Sequence, residues 1–376
     1  MPSSMKAWPV TGPFKGIVGD LPSGFDPQAL DTAVNVVCRL GRLQTRPRLT
    51  GLSASNPDGQ AVYNLYSFLD ALENWHTLAL TKQHAYFLTS SGGSLTYNAL
   101  TLPAGITDLS GTGLPFGLVE MNQQVFFCNG SAPLLYADGS TNVQLAGDVP
   151  GACFYLAENS SHLIGVNWVI PSPGISNSTK YPFRVIISDV NNPLEWIPSI
   201  SNSAVVINLI EKGGVPNGIQ TLGSYTYIWR QFGGNILWPS GNASAPFYND
   251  PFSWSNPGWG LFYPYSMCTW NQSGLMVSHN AEVLLFAGAS GPAASNWTPL
   301  AGGKVKNALA QDLNSATGIV QGFVTDQLGP LFPFEAYILS IPGPGVMWVL
   351  NLTDMSWTRF IAEGTVFTAL GNVKVH

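Results

Sequence analysis

One phrase recurs along the chain: an apolar strand-like run, a short polar turn, and a second apolar run, closed by a break rich in Gly, Ser and Asn. The copies cover residues 78–88 around Lys82-Gln83, 118–127 around Asn122-Gln123, and 153–166 around Asn159-Ser160-Ser161. Three more cover 219–229 around Gly223-Ser224, 267–277 around Gln272-Ser273-Gly274, and 335–350 around Pro342-Gly343-Pro344. Further strand-like runs trail several of them, at 93–100, 134–137, 282–286 and 357–361. The units recur at roughly 35 to 70 residues, and each is too small to bury its own apolar face, which is how a β-propeller reads in sequence. A sandwich needs only about seven to nine strands and would leave most of the chain unused. The pattern therefore predicts an all-β chain folded as a six-bladed β-propeller over residues 51–376.

Residues 1–50 read differently. Pro and Gly punctuate them until a strand-like segment at 33–43, which Pro47 stops, so an extended N-terminal arm is expected, its one strand packing on the propeller or on a neighbour. Helical periodicity is confined to two short stretches, 27–34 and 304–313, neither of convincing length. Two loops between blades are expected, at 171–179 and at 239–260, the second rich in Gly, Asn, Pro and aromatics; such loops commonly carry contacts to partners.

Composition narrows the functional classes. Of 376 residues, 45% are hydrophobic but only 10% are charged, against roughly 25% in ordinary soluble domains, so much of the surface is expected to face other protein. Fifteen Lys and Arg against 21 Asp and Glu give a formal net charge of -6, which argues against a protein that grips nucleic acid by neutralising phosphates. The one notable basic cluster, Arg39, Arg42, Arg46 and Arg48, suits docking on an acidic neighbouring subunit. Cys38, Cys128, Cys153 and Cys268 lie far apart and read as buried free thiols. Residues 1–14 carry no apolar leader segment and no run approaches the length of a membrane span, so no span is expected.

Candidate chemistry is sparse. Glycoside hydrolysis needs two carboxylates in one pocket. Asp138, Asp148, Asp250, Asp312 and Asp354 sit at turn sequences where Asp caps backbone, and Glu120, Glu158, Glu282 and Glu335 read as solvated hairpin tips. The five His residues are scattered without ligand spacing, so no metal is expected, and His84 and His279 are expected to bond locally. Gly92-Gly93 and Gly302-Gly303 lack the Lys and the helix of a phosphate loop, and no cofactor is expected. No catalytic residue is assigned. Several Asn-x-Ser/Thr triplets, including those at Asn129, Asn159, Asn177, Asn242, Asn271 and Asn351, read as chance in a chain whose turns are rich in these residues. The Trp residues at 229, 238, 254, 259, 270, 297, 348 and 357 divide between core and interface, with a carbohydrate platform as the alternative.

Two phrases carry a resemblance. In the first, Leu21-Pro22 is followed by Asn35, Arg39, Gly41 and Arg46-Pro47. In the second, a strand from Arg184 ends at Ser188-Asp189, an Asn191-Asn192-Pro193 turn follows, and Trp196-Ile197-Pro198 closes the unit. Together they resemble the tail nozzle or tail-hub proteins of short-tailed, podovirus-like bacteriophages. That resemblance implies a non-enzymatic six-bladed propeller, located in the virion tail and made in the bacterial host cytoplasm. It further implies a homo-oligomeric, usually hexameric, ring below the portal and adaptor, in contact with other tail proteins and with fibres or spikes. DNA would pass through such a ring as transient cargo. Two other readings remain open: a tail propeller binding a host glycan receptor, and a glycan-degrading tail enzyme.

Overall fold

A computed structural model of the chain describes residues 36–39, 42–45, 57–91, 94–109, 114–171, 178–209, 213–253, 259–286, 297–325 and 335–361. Twenty-four of its strands form six four-stranded antiparallel sheets, each made from one contiguous stretch of sequence. Blade 1 comprises β3 (Val62–Leu69), β4 (Trp75–Thr81), β5 (Ala85–Ser91) and β6 (Ser94–Ala99). Blade 2 comprises β7 (Gly117–Met121), β8 (Gln124–Cys128), β9 (Leu135–Ala137) and β10 (Gln144–Leu145). Blade 3 holds β11 (Ala152–Asn159), β12 (His162–Pro171), β13 (Ser178–Ile187) and β14 (Val205–Asn208). Blade 4 holds β15 (Pro216–Leu222), β16 (Tyr225–Arg230), β17 (Gly233–Pro239) and β18 (Phe247–Ser253). Blade 5 follows with β19 (Cys268–Trp270), β20 (Ser273–Val277), β21 (Val283–Phe286) and β22 (Trp297–Pro299), and blade 6 with β23 (Gln321–Thr325), β24 (Ala336–Ile341), β25 (Val346–Asn351) and β26 (Trp357–Ile361).

The predicted six-bladed propeller is the fold observed, and the register of the repeating phrase accounts for its uneven spacing. In blades 2 to 5 the phrase is the hairpin of the first and second strands, whereas in blades 1 and 6 it is the hairpin of the second and third. Strands β3 and β23 precede the phrase in their blades and were not part of the pattern. The blade-5 turn also lies one position earlier than expected: Asn271 and Gln272 form it, and Ser273 and Gly274 already belong to β20.

Both faces of the middle strands are buried, so alternation appears as a division of labour rather than as polar positions. Val125 and Phe127 of β8 face blade 1 and pack with Phe68, Leu78 and Phe87, while Phe126 and Cys128 face blade 3 and pack with Leu156, Leu163 and Trp168. The same logic joins blade 3 to blade 4 through Ile164, Val185, Ile219 and Leu237, and blade 4 to blade 5 through Tyr227, Trp229, Met276 and Phe286. Between blades 5 and 6 lies α1 (Gly303–Asn314), whose Val305, Leu309 and Leu313, one turn apart, pack with Leu275, Val283, Leu339 and Trp348. Blade 6 has a further buried cluster of its own, Ala336, Ile338, Met347, Val349 and Phe360.

Four expectations need correction. Residues 304–313, read as too short for a helix, are the body of α1, held by burial of one stripe rather than by propensity. Residues 171–179 are not a connection between blades: Pro171 pairs with Ser178 and Ile170 with Thr179 at the β12–β13 hairpin. The stretch 239–260 contains β18, the fourth strand of blade 4, which pairs with β17 from Pro239↔Phe247 to Gly233↔Ser253. The strand expected at 33–43 is a two-stranded hairpin, β1 (Val36–Arg39) with β2 (Arg42–Thr45), and β1 runs beside β26.

Candidate functional site

The first strands of blades 1, 2, 3, 4 and 6 and the segment ahead of β19 in blade 5 converge on an axial cavity of about 370 Å³. Asn64 and Tyr66 come from β3, Tyr155 from β11, and Gln321 from β23. Phe116 leads into β7, and Tyr265 lies in a single 3-10 turn (Pro264–Ser266) ahead of β19. Apolar side chains and backbone supply the remaining described wall, and none of the described lining residues is charged.

These groups are held from behind. The Asn64 amide clamps the backbone of Phe116 in both directions, donating to its carbonyl at 3.1 Å and accepting from its N–H at 2.7 Å, which ties blade 1 to blade 2. Tyr66 donates to Glu120 Oε2 at 3.3 Å, and burial together with that carboxylate pushes its phenol up to about 12. Burial likewise raises Tyr155 and Tyr265. The Tyr337 hydroxyl donates to the Ser266 carbonyl at 2.8 Å and so positions the 3-10 turn. Gly322 makes room for that contact, since a Cβ there would meet Ser266 O at 2.6 Å.

The cavity therefore presents neutral phenols, an amide-bearing wall and aromatic surface. Its volume lies at the small-ligand end of the range for binding sites, and a nucleic-acid duplex does not fit. Among the described residues that line it there is no pair of carboxylates of the kind a glycosidase uses. Among the described residues no three His, Cys, Asp or Glu side chains are grouped to hold a metal ion.

Of the motif residues, Leu21, Pro22, Asn35, Gly41, Arg46 and Pro47 lie outside the described residues, and Arg39 is placed on β1 by its backbone alone. The second phrase is brought together in one unit, the corner between β13 and β14. Ser188 is fully buried; its Oγ accepts from Leu163 N at 2.9 Å, and its carbonyl accepts from His162 Nδ1 at 2.7 Å. Asp189 accepts from the Ser203 N–H at 2.8 Å and the Ser203 hydroxyl at 2.6 Å. Burial pushes the Asp189 carboxyl up, but those bonds outweigh it and the net shift is downward. Pro193 offers its carbonyl to the Trp196 indole at 2.8 Å.

Trp196 does not lid the corner. Its side chain, 0% exposed, wedges between blades 2 and 3, with its ring edge-on to Trp168 at 5.7 Å. The connection between these blades receives it: Asp148 accepts from the Trp196 and Ile197 N–H groups, and the Asp148 N–H donates to Leu194 O at 3.1 Å. Arg184 lies over the Tyr181 ring, 3.8 Å from its centroid, and Pro198 is exposed.

Several carboxylates do more than cap turns. Asp138 and Asp354 accept from backbone N–H groups two residues on, as expected, while Glu158, read as a solvated hairpin tip, accepts from the Ser161 N–H. Asp312 instead grips Arg359 with both oxygens, at 2.7 and 2.8 Å, and also accepts from the Trp348 indole. Glu282 bonds Lys306 and the Trp259 indole, and Glu335 bonds the Trp270 indole, so neither is a solvated tip. Sequence reasoning missed Asp58, which accepts from Thr81 at 2.6 Å and lies 3.2 Å from His84 Nδ1, and the Asp70–His76 pair at 2.8 Å. The signal available for the second was an Asp opening a tight turn six residues before a His. Trp229, Trp297, Trp348 and Trp357 are core residues.

Six contiguous four-stranded sheets around one axis define the class: this chain is a six-bladed β-propeller. No protein-family profile matches the sequence, and none of the curated proteins does. Solved structures of similar architecture include the WD40 repeats of RRP9, 8% identical over 83% of this chain and 84% of that one, with a TM-score of 0.44. BamB from Moraxella catarrhalis is 11% identical over 83% of this chain and 88% of its own, with a TM-score of 0.42. The extracellular domain of the hybrid two-component system BT3049 from B. thetaiotaomicron is 11% identical over 83% of this chain, at a TM-score of 0.45; this chain spans 36% of that one.

Proposed function

We propose that this protein is a non-enzymatic structural component of a bacteriophage tail, a ring-forming nozzle or hub subunit that continues the DNA exit channel below the portal and adaptor. The observation that carries the reading is the corner between β13 and β14. It spends Ser188, Asp189 and Trp196 on internal packing, yet holds Val190, Ile197 and Ile200 outward on the same loop. Apolar side chains grouped on an exposed loop favour burial against another subunit, and a low surface charge removes much of the cost of bringing copies together. The sequence of that corner is the second of the two phrases that resemble the phage nozzle family, and the fold that the resemblance implies is the six-bladed propeller. A mildly acidic chain also suits a conduit, because a wall of Lys and Arg would hold the polyanion by counterion release. DNA would pass along the axis of the assembled ring, since the subunit's own axial cavity is too small for it.

Electron microscopy of the purified full-length chain tests this directly. Rings with an open central axis, six copies in each, are expected; monodisperse monomers at micromolar concentration would overturn the reading. Replacing Arg39, Arg42 and Arg46 by Ser is expected to lower the fraction of rings. A glycan-binding tail propeller is the second reading, favoured by the uncharged, tyrosine-lined axial cavity. Loop-independent binding on a glycan array, lost on Tyr155→Ala, would support it.

A further inference from the structure

Cys128 ends β8 and Cys153 lies near the start of β11, so the two belong to neighbouring blades although they are 25 residues apart in sequence. Their sulfur atoms are 3.3 Å apart, with the Cys153 thiol donating to Cys128 Sγ. Both are buried, at 2% and 0% exposure, in the apolar cluster that joins blades 2 and 3, next to Trp168 and Phe126. The backbone around them is pinned as well: the Gly130 N–H donates to the Cys153 carbonyl at 2.8 Å. Cys268, by contrast, lies on β19 in blade 5.

We propose that Cys128 and Cys153 form a covalent cross-link site between blades 2 and 3, filled by reaction with a low-molecular-weight disulfide such as oxidised glutathione. One cysteine, as thiolate, attacks the glutathione disulfide and releases one reduced glutathione; the second displaces the other glutathione from the mixed disulfide. Two thiols thus lose two protons and two electrons, and one oxidised glutathione becomes two reduced molecules. Closing the sulfurs to the roughly 2.05 Å of a disulfide needs only a small approach of two strands already in contact. Burial pushes the Cys128 thiol well up, so reaction in the folded chain waits on opening between the two blades and is faster during folding.

The test uses the full-length chain purified under reducing conditions. One sample is incubated folded with oxidised glutathione at pH 8, a second is refolded in a glutathione redox buffer, and both are alkylated and mapped by mass spectrometry. The expected product is a Cys128–Cys153 linked peptide lacking two hydrogens, quantitative in the refolded sample and slow to accumulate in the folded one. Its Tm should be higher by about 5 °C, and dithiothreitol should reverse the rise. Cys128→Ser and Cys153→Ser should each lack the linked peptide, but the assignment rests on the wild-type map, so a destabilised variant does not blunt it. Both thiols alkylated after oxidative refolding, a persistent glutathione adduct on either, or a linkage through Cys38 or Cys268 would overturn the proposal.

Discussion

Trp196 shows how much one side chain does here. It belongs to a corner of blade 3 but fills space between blades 2 and 3, and the approach of its loop depends on Gly147, at φ +62, where a Cβ would lie 1.9 Å from the Leu194 carbonyl oxygen. Trp196→Ala is expected to lower stability by about 3–5 kcal/mol, the usual cost of emptying a large buried aromatic site, measured by urea unfolding. A second residue-scale expectation concerns acid. Backbone N–H bonds at the turn to Asn74, the His76 ring and the Asn74 amide hold the Asp70 carboxyl at about 2, below the roughly 3.9 of a free aspartate. A depressed pKa in the fold means the ionised form stabilises it at every pH above about 4, with the contribution lost as the pH falls toward about 2. Asp58 and Asp189 are shifted in the same direction, so stability should fall over that window, and Asp70→Asn should flatten the fall in a pH series of melting curves.

At the scale of elements, the hairpin phrase was legible because its turns are two polar residues between apolar runs. Three of these turns, Asn122-Gln123, Ser160-Ser161 and Asn271-Gln272, place two successive non-glycine residues at positive φ, the geometry of tight hairpins whose twist matches that of the strands. Asn tolerates that region but Gln does so at a cost, so Gln272→Gly should raise stability by about 1 kcal/mol, read from the urea midpoint. The same turn explains an error of register: Ser273 and Gly274 look like turn residues, yet Gly274 is in β20 because a Cβ there would meet the Gln220 amide of blade 4 at 2.7 Å. β18 was hidden for a related reason. Its Asn249, Asp250 and Pro251 read as loop, but they lie on the outermost strand of the blade, where Pro costs least. The axial cavity could not be read at all, since its lining comes a few residues at a time from six blades far apart in sequence. Helix α1 was visible as a pattern, but its persistence depends on the blades it packs against and on Asp312 gripping Arg359 of β26.

For the whole molecule, the order of the blades in space is their order in sequence, and five of the six junctions are filled by apolar clusters that draw on both neighbours. The composition foretold a core of this extent and a surface poor in charge; what it could not foretell was how the circle is completed. Every sheet is spun from its own segment, so among the described residues no hydrogen-bonded ladder mixes strands from the two ends of the circle. Over its described residues the chain is in that respect a bracelet whose last link is not sewn to its first. The β1–β2 hairpin, lying beside β26, rests against the outer strand of the last blade and so bears on how rigid the whole hoop can be.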